Sequence, residues 1–184
     1  MLRNPLSWLL ALIGATALAA CCGSVACDCK DALDNAVQFR FNLADSTAAP
    51  ARGFRAAEVD SVYLTRSLLR DTARRPVIDT VLLVRLRREA ANPVTLNTSQ
   101  PFAQRGTLPI DTFRYQLYLG RRRNPTVLYK IDRLKVRNKL EANGCCTCNR
   151  NVSKLLYLDG APTPLDLTDP TGRDEPVPVT LHRK

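Results

Sequence analysis

Residues 37–43 read Val-Gln-Phe-Arg-Phe-Asn-Leu, an alternation that puts the apolar side chains on one face, and this predicts a half-buried strand. Similar short runs recur at residues 59–66, 77–87, 94–97, 112–119, 126–131, 134–140, 155–158 and 177–181. Turn-rich pieces carrying Gly, Pro, Asn, Asp and Ser separate them at residues 44–53, 70–76, 98–109, 120–125, 143–151 and 160–176. Beyond the amino-terminal segment no stretch keeps a helical period. About eight or nine short strands with this punctuation predict an all-β domain.

The expected architecture is an antiparallel, immunoglobulin-like β-sandwich over residues 37–184, with a small β-barrel as the alternative. The Cys and Trp hallmarks of antibody domains are missing, because the single Trp is Trp8, outside the domain.

The amino-terminal segment follows a different pattern. Arg3 gives a short positive start, residues 6–17 form an apolar run, and small residues follow, which is the layout of a bacterial export signal. The run is shorter than the roughly 20 apolar residues of a spanning helix. It ends in Leu18-Ala19-Ala20-Cys21, a branched residue and two small ones before a Cys. These four residues resemble the lipobox of bacterial lipoproteins. The resemblance implies that residues 1–20 are a signal peptide cut by signal peptidase II, and that Cys21 is the first mature residue and carries the lipid. Several acyl chains at about 0.8 kcal/mol per buried CH₂ then form the membrane anchor. Residues 21–36 become a Cys-rich membrane-proximal tether. The next residue is Cys22 rather than Asp, so the inner-membrane retention signal of enteric lipoproteins is missing and the outer membrane is implied. The competing reading is an ordinary signal peptide cut after Ala17-Leu18-Ala19, with Cys21 a plain thiol.

With 45% apolar and 24% charged residues over 184 positions, the composition is that of a globular chain and excludes a disordered polymer. Its formal charge of +10 makes an anionic partner the natural question. Arg133, Lys135, Arg137 and Lys139 share one parity while Leu134, Val136 and Leu140 take the other, so one strand is expected to show a cationic face and an apolar one. Arg85 and Arg87 repeat the pattern, and Arg121, Arg122 and Arg123 cap a turn. The functional reading is a platform for an anionic glycan, a lipid head group or another envelope protein. The plainer reading is a solvated face whose cations protect a strand edge from aggregation. Nucleic acid fits poorly, since no aromatics interleave these cations as a stacking platform requires.

Once Cys21 is assigned to lipid, six thiols remain in two groups: Cys22, Cys27 and Cys29 near the anchor, and Cys145, Cys146 and Cys148 in the turn before Asn149. In an exported chain an even count reads as disulfides. Adjacent Cys145 and Cys146, and Cys27 and Cys29 one residue apart, are poorly placed to bond each other, which favours bonds between the groups. The alternatives are a four-thiolate metal site from Cys27, Cys29, Cys145 and Cys148, a redox couple, or partly free thiols. On this reading the chain is a small Cys-cluster metal or redox protein instead of a binding module.

Asp45-Ser46-Thr47, Asp60-Ser61, Asp71-Thr72-Ala73, Asp79-Thr80 and Asp111-Thr112 repeat an acid followed by a hydroxyl residue. Such pairs satisfy backbone groups where turns hand over to strands. The first four also resemble the acceptor of a general O-glycosylation system of some Gram-negative bacteria, from which Asp111-Thr112-Phe113 departs, with Ser46 and Thr72 as the candidates in turns. No cofactor, metal or catalytic set is expected. The lone His182 lies near the carboxyl end, and no nucleophile signature accompanies it. The acids of residues 166–175 lack the spacing of an EF-hand loop.

Overall fold

The computed structural model describes residues 8, 27, 29, 33, 35–47, 52–71, 77–103, 108–121, 123–143, 145–171 and 175–184. Among these the chain forms strands β1 (Val37–Phe41), β2 (Ser61–Leu68), β3 (Asp79–Val84), β4 (Val94–Leu96), β5 (Phe113–Arg121), β6 (Asn124–Asn143), β7 (Cys146–Leu158), β8 (Leu165–Asp166) and β9 (Pro178–Leu181). Single 3-10 turns at Ala56–Glu58, Arg87–Glu89 and Ile110–Thr112 precede or follow them.

The strands make two sheets, one of three in the order β4-β1-β9 and one of six in the order β3-β2-β5-β6-β7-β8. The two sheets do not close on each other, so the fold is a sandwich and the barrel alternative does not form. Its core comes from the alternation that predicted it. Phe39 and Phe41 of β1, Val62 and Leu64 of β2, Leu117 and Leu119 of β5, and Leu156 of β7 are fully buried together. The expectation of antiparallel pairing holds for the described strand pairs except one. The first strand β1 runs parallel to the last strand β9, with Phe39 opposite Val179.

Several boundaries differ from the sequence reading for identifiable reasons. Residues 126–131 and 134–140 belong to one strand, because a bulge at Asp132 lies between them. Register shifts between Ile131 and Arg133, leaving Asp132 extra, and the buried parity changes from odd (Tyr129, Ile131) to even (Leu134). The change of parity hid the continuity. Residues 146–151, expected as turn, are the start of β7, and β8 lies inside the expected turn 160–176. Cys and Asn dominate the first of these stretches, so no hydrophobic alternation marks it.

Candidate functional site

The functional features gather on the β6–β7 hairpin and on the outer face of the six-stranded sheet. β5 pairs with β6 only as far as Ile131, and β8 meets β7 only at Leu155 and Leu156. Beyond these points, among the described residues, β6 and β7 pair with each other alone and form a two-stranded ribbon. Such a ribbon is marginal in water without further support.

Its support comes from the amino-terminal segment. Cys27 bonds Cys146 and Cys29 bonds Cys148, with Cα separations of 5.6 Å and 5.3 Å. Cys145 is disulfide-bonded as well. The expectation of bonds between the two cysteine groups is therefore met for two pairs, and the four sulfurs involved are not thiolates for a metal or free thiols. On the other side of the ribbon, Asn138 donates to Asn35 at 2.6 Å, and Lys154, 3% exposed, donates to the Ala36 carbonyl at 2.8 Å. Cys27 and Cys29 thus hold one face of the ribbon, and Asn35 and Ala36 hold the other. Cys21 and Cys22 lie outside the described residues.

The four candidate cations do share a face. Directly opposed residues of an antiparallel pair project to the same side, so Arg133 and Tyr157, Lys135 and Leu155, and Glu141 and Cys148 lie on one ribbon face. The bulge at Asp132 points this face outward, while Leu134 on the other parity is buried. Arg133 and Lys135 approach the Tyr157 ring at 5.9 Å and 5.5 Å, a cation–π pairing that orders both. Arg137 is exposed. Lys139 departs from the expectation of a free anion-binding group, because it pairs with Glu141, whose other oxygen takes Arg150 at 2.8 Å. Lys139, with help from Arg150, holds the Glu141 carboxyl below its usual range. Leu140, expected on a packed apolar face, is 73% exposed, since the ribbon there has left the core.

A groove of about 570 Å³ opens beside Arg133 and Lys135, lined also by Arg70, Leu68, Leu69 and Asp111. It joins cations to apolar side chains. Further along the same outer face, edge strand β3 exposes Leu82 and Val84, and Ile78 just before it is exposed too. The sequence signal for this was present but unread: residues 77–84 are apolar at both parities, more than a strand with one buried face requires.

The remaining candidates disperse. Ser46 sits half-buried in a turn whose backbone packs on Gly53, and Thr72 lies outside the described residues. Asp79 reaches beyond its own turn. Its carboxylate accepts from Arg66 at 2.9 Å. His182 is exposed beside Asn42 at 3.1 Å, and among the described residues no cluster of metal-ligating side chains forms. Asp166 and Asp169 accept hydrogen bonds from Thr168 and Thr171 within their own turns. No protein-family model, curated protein or solved structure matches the chain.

Proposed function

We propose that the chain is a lipid-anchored protein of the bacterial cell envelope, attached through Cys21 to the outer membrane and acting by binding or as a structural accessory. The observation that carries this reading is the pair of bonds Cys27–Cys146 and Cys29–Cys148. Disulfides of this kind persist in exported, oxidising compartments, and they fix the sandwich to the segment that follows the lipobox residues Leu18-Ala19-Ala20-Cys21. An acylated end joined by a loose tether leaves a domain free to tumble. A stapled end gives it one orientation toward the membrane, which suits a protein that presents a defined surface. The cationic face of β6 supports anionic partners, a glycan or lipid head groups.

The reading is tested in cells fed a labelled fatty acid. The wild-type chain takes up label and runs at the processed mass, whereas Cys21→Ala loses the label and accumulates unprocessed. Label and processed mass unchanged in Cys21→Ala would overturn the anchor.

A further inference from the structure

We infer that the outer face of the six-stranded sheet is the surface the domain lays on an anionic lipid bilayer, an inference that rests on the proposed anchor and names what the anchored domain binds. The outer faces of most sandwiches are polar. Here, an apolar row crosses four strands through the register Leu82, Tyr63, Tyr118 and Leu128. The two Tyr rings stack at 5.0 Å, and at the free edge Val84 is 78% exposed and Ile78 57%. Tyr118 is itself only 5% exposed, so the open part of the row is its β3 end, where Leu82 is 45% exposed. Exposed apolar surface of this kind marks an interaction site, and the half-buried Tyr63 beside it suits the boundary between headgroups and hydrocarbon.

Cations border the row on the same face. Arg114 opposes Ser67 and Lys130 opposes Gln116, both on the outward parity, and the Asp132 bulge adds Arg133, Lys135 and Arg137. Three acids on this face already accept hydrogen bonds, Asp132 from Gly160, Asp166 from Thr168, and Glu141 from Lys139 and Arg150, while Asp111 lines the groove beside Arg133 and Lys135. An apolar strip with a cationic margin matches lipid on both counts, acyl chains for the strip and phosphates for the margin. A second copy matches only the strip, because a symmetric pairing would bring the cationic margin against itself. The staple agrees with the lipid. Cys148 opposes Glu141, so the bridge to Cys29 leaves the ribbon on the face that carries Arg133, Lys135 and Arg137. Cys27 and Cys29, the described residues next after Cys21 in the sequence, are therefore bonded on the side that we assign to the membrane.

The test uses the oxidised processed chain, residues 21–184, carrying Cys21→Ser so that no acyl group contributes. It is sedimented with vesicles of phosphatidylcholine alone or mixed with phosphatidylglycerol. Binding to the mixed vesicles is expected, weakened roughly fivefold by Arg137→Gln, as about 1 kcal/mol per surface cation gives, and weakened also by Val84→Ser. Both side chains are exposed, so thermal midpoints should not move. Arg40→Gln removes an exposed cation from the other sheet and should change little. The inference falls on any of three results: no binding to mixed vesicles, an equal loss from Arg40→Gln, or a stable dimer in sedimentation equilibrium that Val84→Ser dissolves. Since this chain carries no acyl group, such a failure leaves the labelling result at Cys21 standing.

Discussion

The ammonium of Lys154 donates to the carbonyl of Ala36 at 2.8 Å across 118 positions of sequence, and both residues are buried. A buried ammonium is costly unless hydrogen-bonded, so this contact fixes where the amino-terminal segment enters β1. Lys154→Met keeps the apolar stem and removes the donor, leaving the Ala36 carbonyl short of a partner. The expected loss is about 1.5–3 kcal/mol, the range for hydrogen bonds to charged groups. Urea unfolding followed by far-UV circular dichroism reads it directly, and an unchanged midpoint would remove Lys154 from the account of ribbon docking.

The two staples should not be additive. Each joins positions 119 apart, so the first to form closes a loop for which the chain-entropy model gives about 4.7 kcal/mol. The second then closes only a small ring between neighbouring cysteines and contributes much less. Replacing Cys27 and Cys146 together by Ser leaves Cys29–Cys148 and the bond at Cys145 in place and is therefore expected to cost about 2 kcal/mol or less, while full reduction, which opens them all, costs about 5 kcal/mol. Thermal unfolding with and without reductant separates the cases. Equal losses from the single pair and from full reduction would show that the second bond does not keep the loop closed.

The sandwich was legible because its core strands alternate cleanly, as β1 does with Phe39 and Phe41 inward and Arg40 outward. The β6–β7 ribbon was legible only in part. Its inner half carries Leu134, but its outer half has no core to face, so neither Cys146 nor Asn149 announces a strand. The disulfide grouping followed from spacing, whereas the pairing within the groups depends on the register of β7 and needed coordinates. Lys154 and Arg66 were invisible for another reason. Both are charged residues within strands whose partners lie elsewhere in the chain, Ala36 for one and Asp79 with Ala103 for the other. Periodicity cannot show a contact of that kind.

Arg66 allows a sharper test of how a buried charge contributes. It is 7% exposed, lies between the rings of Phe102 and Phe113 at 4.7 Å and 4.9 Å, and donates to Asp79 and to the Ala103 carbonyl. Removing the acid strands a desolvated guanidinium, whereas replacing the Arg by an apolar residue of similar length leaves an apolar slot between two rings. Asp79→Ala is thus expected to cost about 3 kcal/mol and Arg66→Met about 1 kcal/mol or less. The order of the two in denaturant titration is the prediction. If Arg66→Met is the more damaging, the cation–π contacts outweigh the ion pair.

The carboxyl end closes over Phe54 through Arg183, whose guanidinium lies 5.3 Å from the ring, bonds the Gly53 carbonyl and pairs with Glu58. Glu58 also accepts from the Arg55 backbone N–H at 2.7 Å. The bond from Arg183, with that from Arg55, holds the Glu58 carboxyl below its ordinary value of 4.5, against a smaller opposing effect of burial. A depressed carboxyl favours the folded state only while it is ionised. Its contribution is therefore complete above the ordinary value and is lost as pH falls through the lower folded value. Glu58→Gln should cost a few tenths to about 1 kcal/mol at neutral pH, the range for exposed ion pairs, and the gap from wild type should close as the solution is acidified below 4.5. Stability curves of both chains against pH decide it. A gap that persists unchanged at the acidic end would mean that Glu58 acts through packing or neutral hydrogen bonding rather than through its charge.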